Sequence, residues 1–189
     1  MRDNNTYEEV VIAGFGGQGI LLTGKLLAQT AMVAGKEVTY MPSYGAEVRG
    51  GTANCMVVIS AEPIASPMVN TPSSLIVMNK ASLKKFAHRL KPGGLLILNS
   101  SLIETDDLDQ APDNVEVLAI PANDLAVELG NAKAANMIAL GAYLQQSGLF
   151  SPEAAAESLP KVLAKRYHKT LPVNTEALHR GAEYAKNNK

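Results

Sequence analysis

A short β-branched run, Val10-Val11-Ile12-Ala13, ends in Gly14-Phe15-Gly16-Gly17-Gln18-Gly19 and opens into a long segment with leucines at helical spacing. A strand that breaks at a glycine turn and feeds a helix commits the chain to a βα unit, and it collects unpaired backbone N–H groups at one point. The positive end of the helix dipole lies there too, so such a turn suits a phosphate. A single turn of this kind is weak evidence, because glycines also serve where the backbone merely turns tightly. A second glycine loop strengthens the case. Tyr44-Gly45-Ala46-Glu47-Val48-Arg49-Gly50-Gly51-Thr52 follows shortly after the next expected strand.

The periodicity predicts strands over 8–14, 37–41 (ended by Pro42), 53–60, 74–78, 95–98 and 115–120. It predicts a helix over 18–34, with Leu22, Leu26 and Leu27 inward and Gly35 as its stop. A second helix is expected over 82–90. From Pro121 onward the pattern is helical, with Met137, Leu140, Gly141 and Leu144 among small residues, Pro152 opening a further helix and Pro172 preceding the last. Strands alternating with helices give an α/β fold, a three-layer sandwich whose parallel or mixed sheet is covered by helices on both faces, Rossmann-like in plan. The run 53–60 is nearly all apolar, as expected of a strand buried on both faces. Sheets of this kind bind ligands at the carboxyl ends of their strands, where both glycine loops are expected. No linker or repeat divides the 189 residues, which read as one domain with its core over about 8–181.

The composition narrows the function classes. A net charge of −1 leaves no basic stripe for nucleic acid. The single cysteine, Cys55, excludes internal disulfides, a four-thiolate zinc site and a self-contained iron–sulfur cluster, and its apolar strand marks it as inert core. No apolar stretch approaches the length of a membrane span, and Met1 to Glu9 lacks a signal-peptide core, so a cytoplasmic protein is expected. His88, His168 and His179 show no metal-ligand spacing.

A dinucleotide site ordinarily sets an acidic residue at the end of the second strand to hold the ribose. Here that end reads Tyr40-Met41-Pro42-Ser43; Glu37 stands at the wrong end and Glu47 falls inside the second loop. In that second loop Arg49 supplies a planar fork of donors, Gly50 and Gly51 allow close backbone approach and Thr52 adds a hydroxyl. Arg49 pairing with Glu47 or with a partner's carboxylate is the alternative, and Lys25 is more simply solvated. No nucleophile elbow, paired-carboxylate pattern or Ser-His-Asp order is present, so no self-sufficient catalytic apparatus is visible.

The first glycine turn, with the stretch from Pro42 to Cys55, Pro63-Ile64, Asn79-Lys80, Lys91-Pro92-Gly93-Gly94, Asn99-Ser100-Ser101-Leu102, Gly130-Asn131 and Asn136-Met137, resembles the gamma subunit of 2-oxoacid:ferredoxin oxidoreductases. The resemblance runs from about Val10 to Gly181, and the wording from Arg49 to Cys55 is most similar to the 2-oxoglutarate branch, with pyruvate and branched-chain relatives also in view. It implies a multisubunit enzyme that converts a 2-oxoacid, coenzyme A and oxidised ferredoxin to acyl-CoA, CO2 and reduced ferredoxin. It implies alpha, beta and ferredoxin-like delta subunits as partners. Thiamine diphosphate, magnesium and 4Fe-4S clusters would belong to those partners, since this chain has no Gly-Asp-Gly thiamine motif and one cysteine. No cofactor is expected on this chain alone. Its expected contribution is a coenzyme A site, with Gly14, Gly16, Gly17, Gln18 and Gly19 meeting Tyr44, Arg49, Gly50, Gly51 and Thr52 around the ADP phosphates.

Two other readings remain open at this level: a stand-alone nucleotide-binding oxidoreductase using NAD or a flavin, and a purely structural subunit whose loops dock on a neighbour. The small-residue helix around 134–142 and the apolar loop 63–72 are candidates for a subunit interface, or else ordinary core and surface loop.

Overall fold

The computed structural model describes residues 7–43, 52–104, 108 and 111–188. Six strands form one mixed sheet: β1 (Tyr7–Phe15), β2 (Glu37–Ser43), β3 (Thr52–Ser60), β4 (Ser74–Val77), β5 (Leu95–Asn99) and β6 (Glu116–Ile120), in spatial order β2-β3-β1-β4-β5-β6. β3 is antiparallel to both of its neighbours, while β1, β4, β5 and β6 run parallel. The helices are α1 (Ile20–Val33), α2 (Lys80–Phe86), α3 (Ala122–Glu128), α4 (Ala135–Ser147), α5 (Pro152–Val162) and α6 (Leu171–Asn187).

The two-residue alternation of the strands explains how near-continuous apolar runs are used. Val10 and Ile12 of β1, with Cys55, Val57 and Ile59 of β3, face a core shared with α1, α4, α5 and α6. Val11, Ala13, Met56 and Val58 face the opposite core, closed by Leu83 and Phe86 of α2 with Val69 and Ile103. The expected α/β sandwich is therefore the observed one, with unequal layers: α1, α3, α4, α5 and α6 contribute to one core, and α2 with irregular segments covers the other face.

Several boundaries differ from the sequence expectation for local reasons. Pro42 does not end β2; it pairs in register with Cys55 inside the strand. β2 is the edge of the sheet, where a missing N–H is tolerated. The second helix begins at Lys80 because the Asn79 side chain accepts the Ser82 N–H (2.8 Å), and its last turn tightens to a 3-10 turn over Ala87–Arg89. Pro172 lies in the first turn of α6 rather than before it. Gly35, at φ 72, ends α1 as expected: its N–H reaches the Met32 carbonyl and that of Lys36 reaches Ala31, a Schellman closure.

The small-residue helix is core. α4 and α6 cross at Gly141 and Gly181, where an added Cβ would stand 2.0 Å from the Leu178 carbonyl oxygen and 1.9 Å from that of Ile138. The small residues serve intrachain helix packing, which overturns the interface option for this helix. In the loop 63–72, Val69 is fully buried while Met68 is half exposed, so the loop is partly core.

Candidate functional site

The chain leaves β1 through α1 to reach β2 on one side, then crosses back to β4 on the other. β1 and β4 thus flank a topological switch point, the crevice where open α/β sheets receive ligands. The glycine turn 14–19 stands directly over it.

The turn is closed by the Gln18 N–H, which donates to the Phe15 carbonyl (3.1 Å). Gly19 adopts φ 75 at the N-cap of α1, and no side chain caps that helix. An added Cβ on Gly19 would lie 2.5 Å from Asn136 Nδ2, so backbone conformation and close packing both require glycine. Asn136, buried on α4, donates to the Gly19 carbonyl (3.3 Å) and to Thr23 Oγ1 (3.1 Å), tying the start of α1 to the neighbouring helix. Among the described residues, none offers an acceptor to the N–H groups of Gly16, Gly17 and Gly19. Gly16 and Gly17 are exposed. The arrangement therefore leaves these backbone donors without an acceptor among the described residues, at the positive end of a fourteen-residue helix.

Five of the ten expected site residues, Gly14, Gly16, Gly17, Gln18 and Gly19, lie together on this turn. Tyr44, Arg49, Gly50 and Gly51 lie outside the described residues. Thr52 begins β3 and pairs in register with Phe15, while Ser43 at the end of β2 pairs with Asn54. β3 thus begins beside the first turn, with the end of β2 next to it. Gln18 differs from the amide donor expected for an anion. Its Oε1 accepts from the Phe15 N–H (2.7 Å) and from Asn79 Nδ2 (3.1 Å), and its Nε2 donates to the Met78 carbonyl (3.2 Å), so the side chain is turned into the protein.

Asn79, Asn99 and Asn136, which stand in the motifs of the family resemblance, were not among the expected site residues. Here Asn79 and Asn99 join Gln18 through the Met78 carbonyl in a neutral carboxamide network along the carboxyl edge, while Asn136 holds the start of α1: Asn99 donates to Asn123 Oδ1 (2.8 Å) and to the Met78 carbonyl (3.4 Å) and accepts the Ala122 N–H (3.1 Å). A usable signal was present, since Asn79 and Asn99 each stand at the end of an apolar strand and Asn136 is a polar residue amid apolar and small helical ones.

The described part of this edge carries no activated nucleophile. Cys55 is fully buried, its Sγ contacts the Ile20 carbonyl (3.5 Å), and burial pushes its thiol up to about 12, so it is no nucleophile. Among the described residues no group of three or more His, Cys, Asp or Glu could hold a metal ion, and no helix is long and apolar enough to cross a membrane.

The model of the pyruvate ferredoxin/flavodoxin oxidoreductase family matches residues 9–184. The chain belongs to that family. Ketoisovalerate oxidoreductase subunit VorA of Methanothermobacter marburgensis is 36% identical over 179 residues, covering 95% of this chain and 37% of the relative. This chain therefore spans little more than a third of that relative's length. The gamma subunit of a keto/oxoacid ferredoxin oxidoreductase from Geobacter sulfurreducens superposes with a TM-score of 0.77 at 28% identity, over 95% of this chain and 99% of that one. The 2-oxoglutarate:ferredoxin oxidoreductase of Magnetococcus marinus, solved with 2-oxoglutarate, coenzyme A and succinyl-CoA bound, superposes with a TM-score of 0.80 at 28% identity, over 96% of this chain and 31% of that one.

Proposed function

We propose that this chain is the gamma subunit of a 2-oxoacid:ferredoxin oxidoreductase, 2-oxoglutarate being the favoured substrate, and that its glycine turn receives the phosphates of coenzyme A. The assembled enzyme would oxidatively decarboxylate the 2-oxoacid, pass the acyl group to coenzyme A and release electrons singly to ferredoxin. The observation that carries the site is the uncapped start of α1 beside the switch point, where the N–H groups of Gly16, Gly17 and Gly19 have no acceptor among the described residues. A relative that covers nearly the whole of this fold holds coenzyme A, which supplies the anion.

The reactive centres are assigned to companion chains. The one thiol is buried against a helix carbonyl, which does not fit a cluster ligand. The dinucleotide alternative is disfavoured by the described end of β2, Met41-Pro42-Ser43, which offers no carboxylate to a ribose, while Glu37 pairs with Ser60 at the opposite end of the sheet. A docking role for the same edge is favoured by one observation: Phe15 and Leu102 are 38% and 47% exposed beside it.

In this reading Arg49 and Thr52 close on the phosphates from the second loop. Isothermal titration of coenzyme A into the assembled complex tests it. Arg49→Ala should weaken binding about 10- to 100-fold, the range for losing a charge-assisted hydrogen bond. Unchanged affinity would defeat the assignment, and a neighbouring chain filling both loops would replace it with the docking role.

A further inference from the structure

We propose that Gln18 is a positioning residue for the ligand turn, held in place by Asn79, and that neither side chain touches the bound anion. The inference rests on the coenzyme A reading above and concerns how that site is kept in shape.

The Gln18 carboxamide bridges the switch point. On the β1 side Oε1 takes the Phe15 N–H (2.7 Å), and across the crevice it takes Asn79 Nδ2 (3.1 Å) while Nε2 reaches the Met78 carbonyl just past β4 (3.2 Å). With these three bonds made, the Phe15 N–H is drawn inward and the Gln18 N–H is spent closing the turn on the Phe15 carbonyl. The N–H groups of Gly16, Gly17 and Gly19 are what remains to face a ligand. The carboxamide thus sorts the donors of the turn into those used by the fold and those left for the anion.

Asn79 fixes the direction of that carboxamide. It is 3% exposed, and its Oδ1 is bound by the Ser82 N–H (2.8 Å) at the start of α2, so its Nδ2 can point only one way. The Met78 carbonyl is shared with Asn99, which is itself tied to Asn123 and to the Ala122 N–H. The turn is thereby referenced to β4, β5 and α3, and neutrality is part of the design. A carboxylate at position 18 would set an oxygen against the Met78 carbonyl and place a negative charge beneath a site for phosphate.

The test uses the enzyme assembled with its partner subunits. Asn79→Ser is the informative variant: serine is as good a helix cap and is neutral, but it lacks the carboxamide Nδ2 that reaches Gln18. The KM for coenzyme A should rise about 10-fold, with kcat at saturating coenzyme A, the KM for the 2-oxoacid and the melting temperature kept, a split that general destabilisation would not give. Combined with Gln18→Ala, Asn79→Ser should add nothing further, because both remove one clamp. Gly17→Ala strains the turn itself, at φ 99, with open space around the new methyl. If Gly17→Ala raises the KM for coenzyme A and Asn79→Ser does not, or if the two clamp variants are additive, the clamp is overturned and the coenzyme A site stands. If Gly17→Ala also leaves that KM unchanged, the site and the clamp fall together.

Discussion

Gly19 and Cys55 show how single residues are pinned by what surrounds them. Gly19 answers to Asn136, more than a hundred positions away, as much as to its own backbone angle. Cys55 answers to α1: its sulfur lies under the Ile20 carbonyl, and a Cβ on Gly24 would stand 2.4 Å from it. Burial raises the thiol from its ordinary 9.0 to about 12, the Gly24 backbone opposing this only in part. Below pH 9 the thiol is protonated in folded and unfolded chains alike, and its contribution to stability is intact. As pH rises from 9 toward 12 the unfolded chain loses the proton first, so that contribution falls. Denaturant titrations of wild type and Cys55→Ala should show a wild-type advantage of about 1 kcal/mol at neutral pH, shrinking over that interval. A constant difference would contradict the buried, protonated thiol.

At the scale of elements, the crossing of α4 and α6 is the tightest helix contact the glycines define. Gly141 and Gly181 each face a carbonyl of the other helix at a separation that admits no methyl group. Backbone cannot step aside as a flexible side chain does, so Gly141→Ala or Gly181→Ala should cost about 3 kcal/mol, at the upper end of overpacking. For a chain of this size that is a fall in melting temperature of about 10 °C, readable by calorimetry. A shift within a degree would mean that the helices can separate freely. The sequence showed small residues recurring on α4, but their partner is on α6, and no local pattern names a partner some forty residues away.

The whole molecule places its candidate binding edge by topology. α1 carries the chain from β1 to one side of the sheet and α2 carries it from β4 to the other, so the connections leaving these paired strands run in opposite directions at the glycine turn. Two buried cores lie on opposite faces of one sheet. Expressed alone it should unfold cooperatively, yet reduce no dye with 2-oxoglutarate and coenzyme A. Turnover by the isolated chain would end the subunit reading.

The amino-acid sequence alone already yields most of the elements, the α/β class and the place of the glycine turn, because a period of two, a period of 3.6 and a glycine stop are local properties of neighbouring residues. The family, too, was legible in motifs spread from Val10 to Gly181. What needed the tertiary structure was every relation between distant segments. Pro42 stays inside a strand because β2 is an edge, α4 is core because α6 covers it, and Gln18 points inward because Asn79 and Met78 arrive from another strand end. A side-chain amide carries no record in its own neighbourhood of which donor and acceptor the folded chain will bring to it.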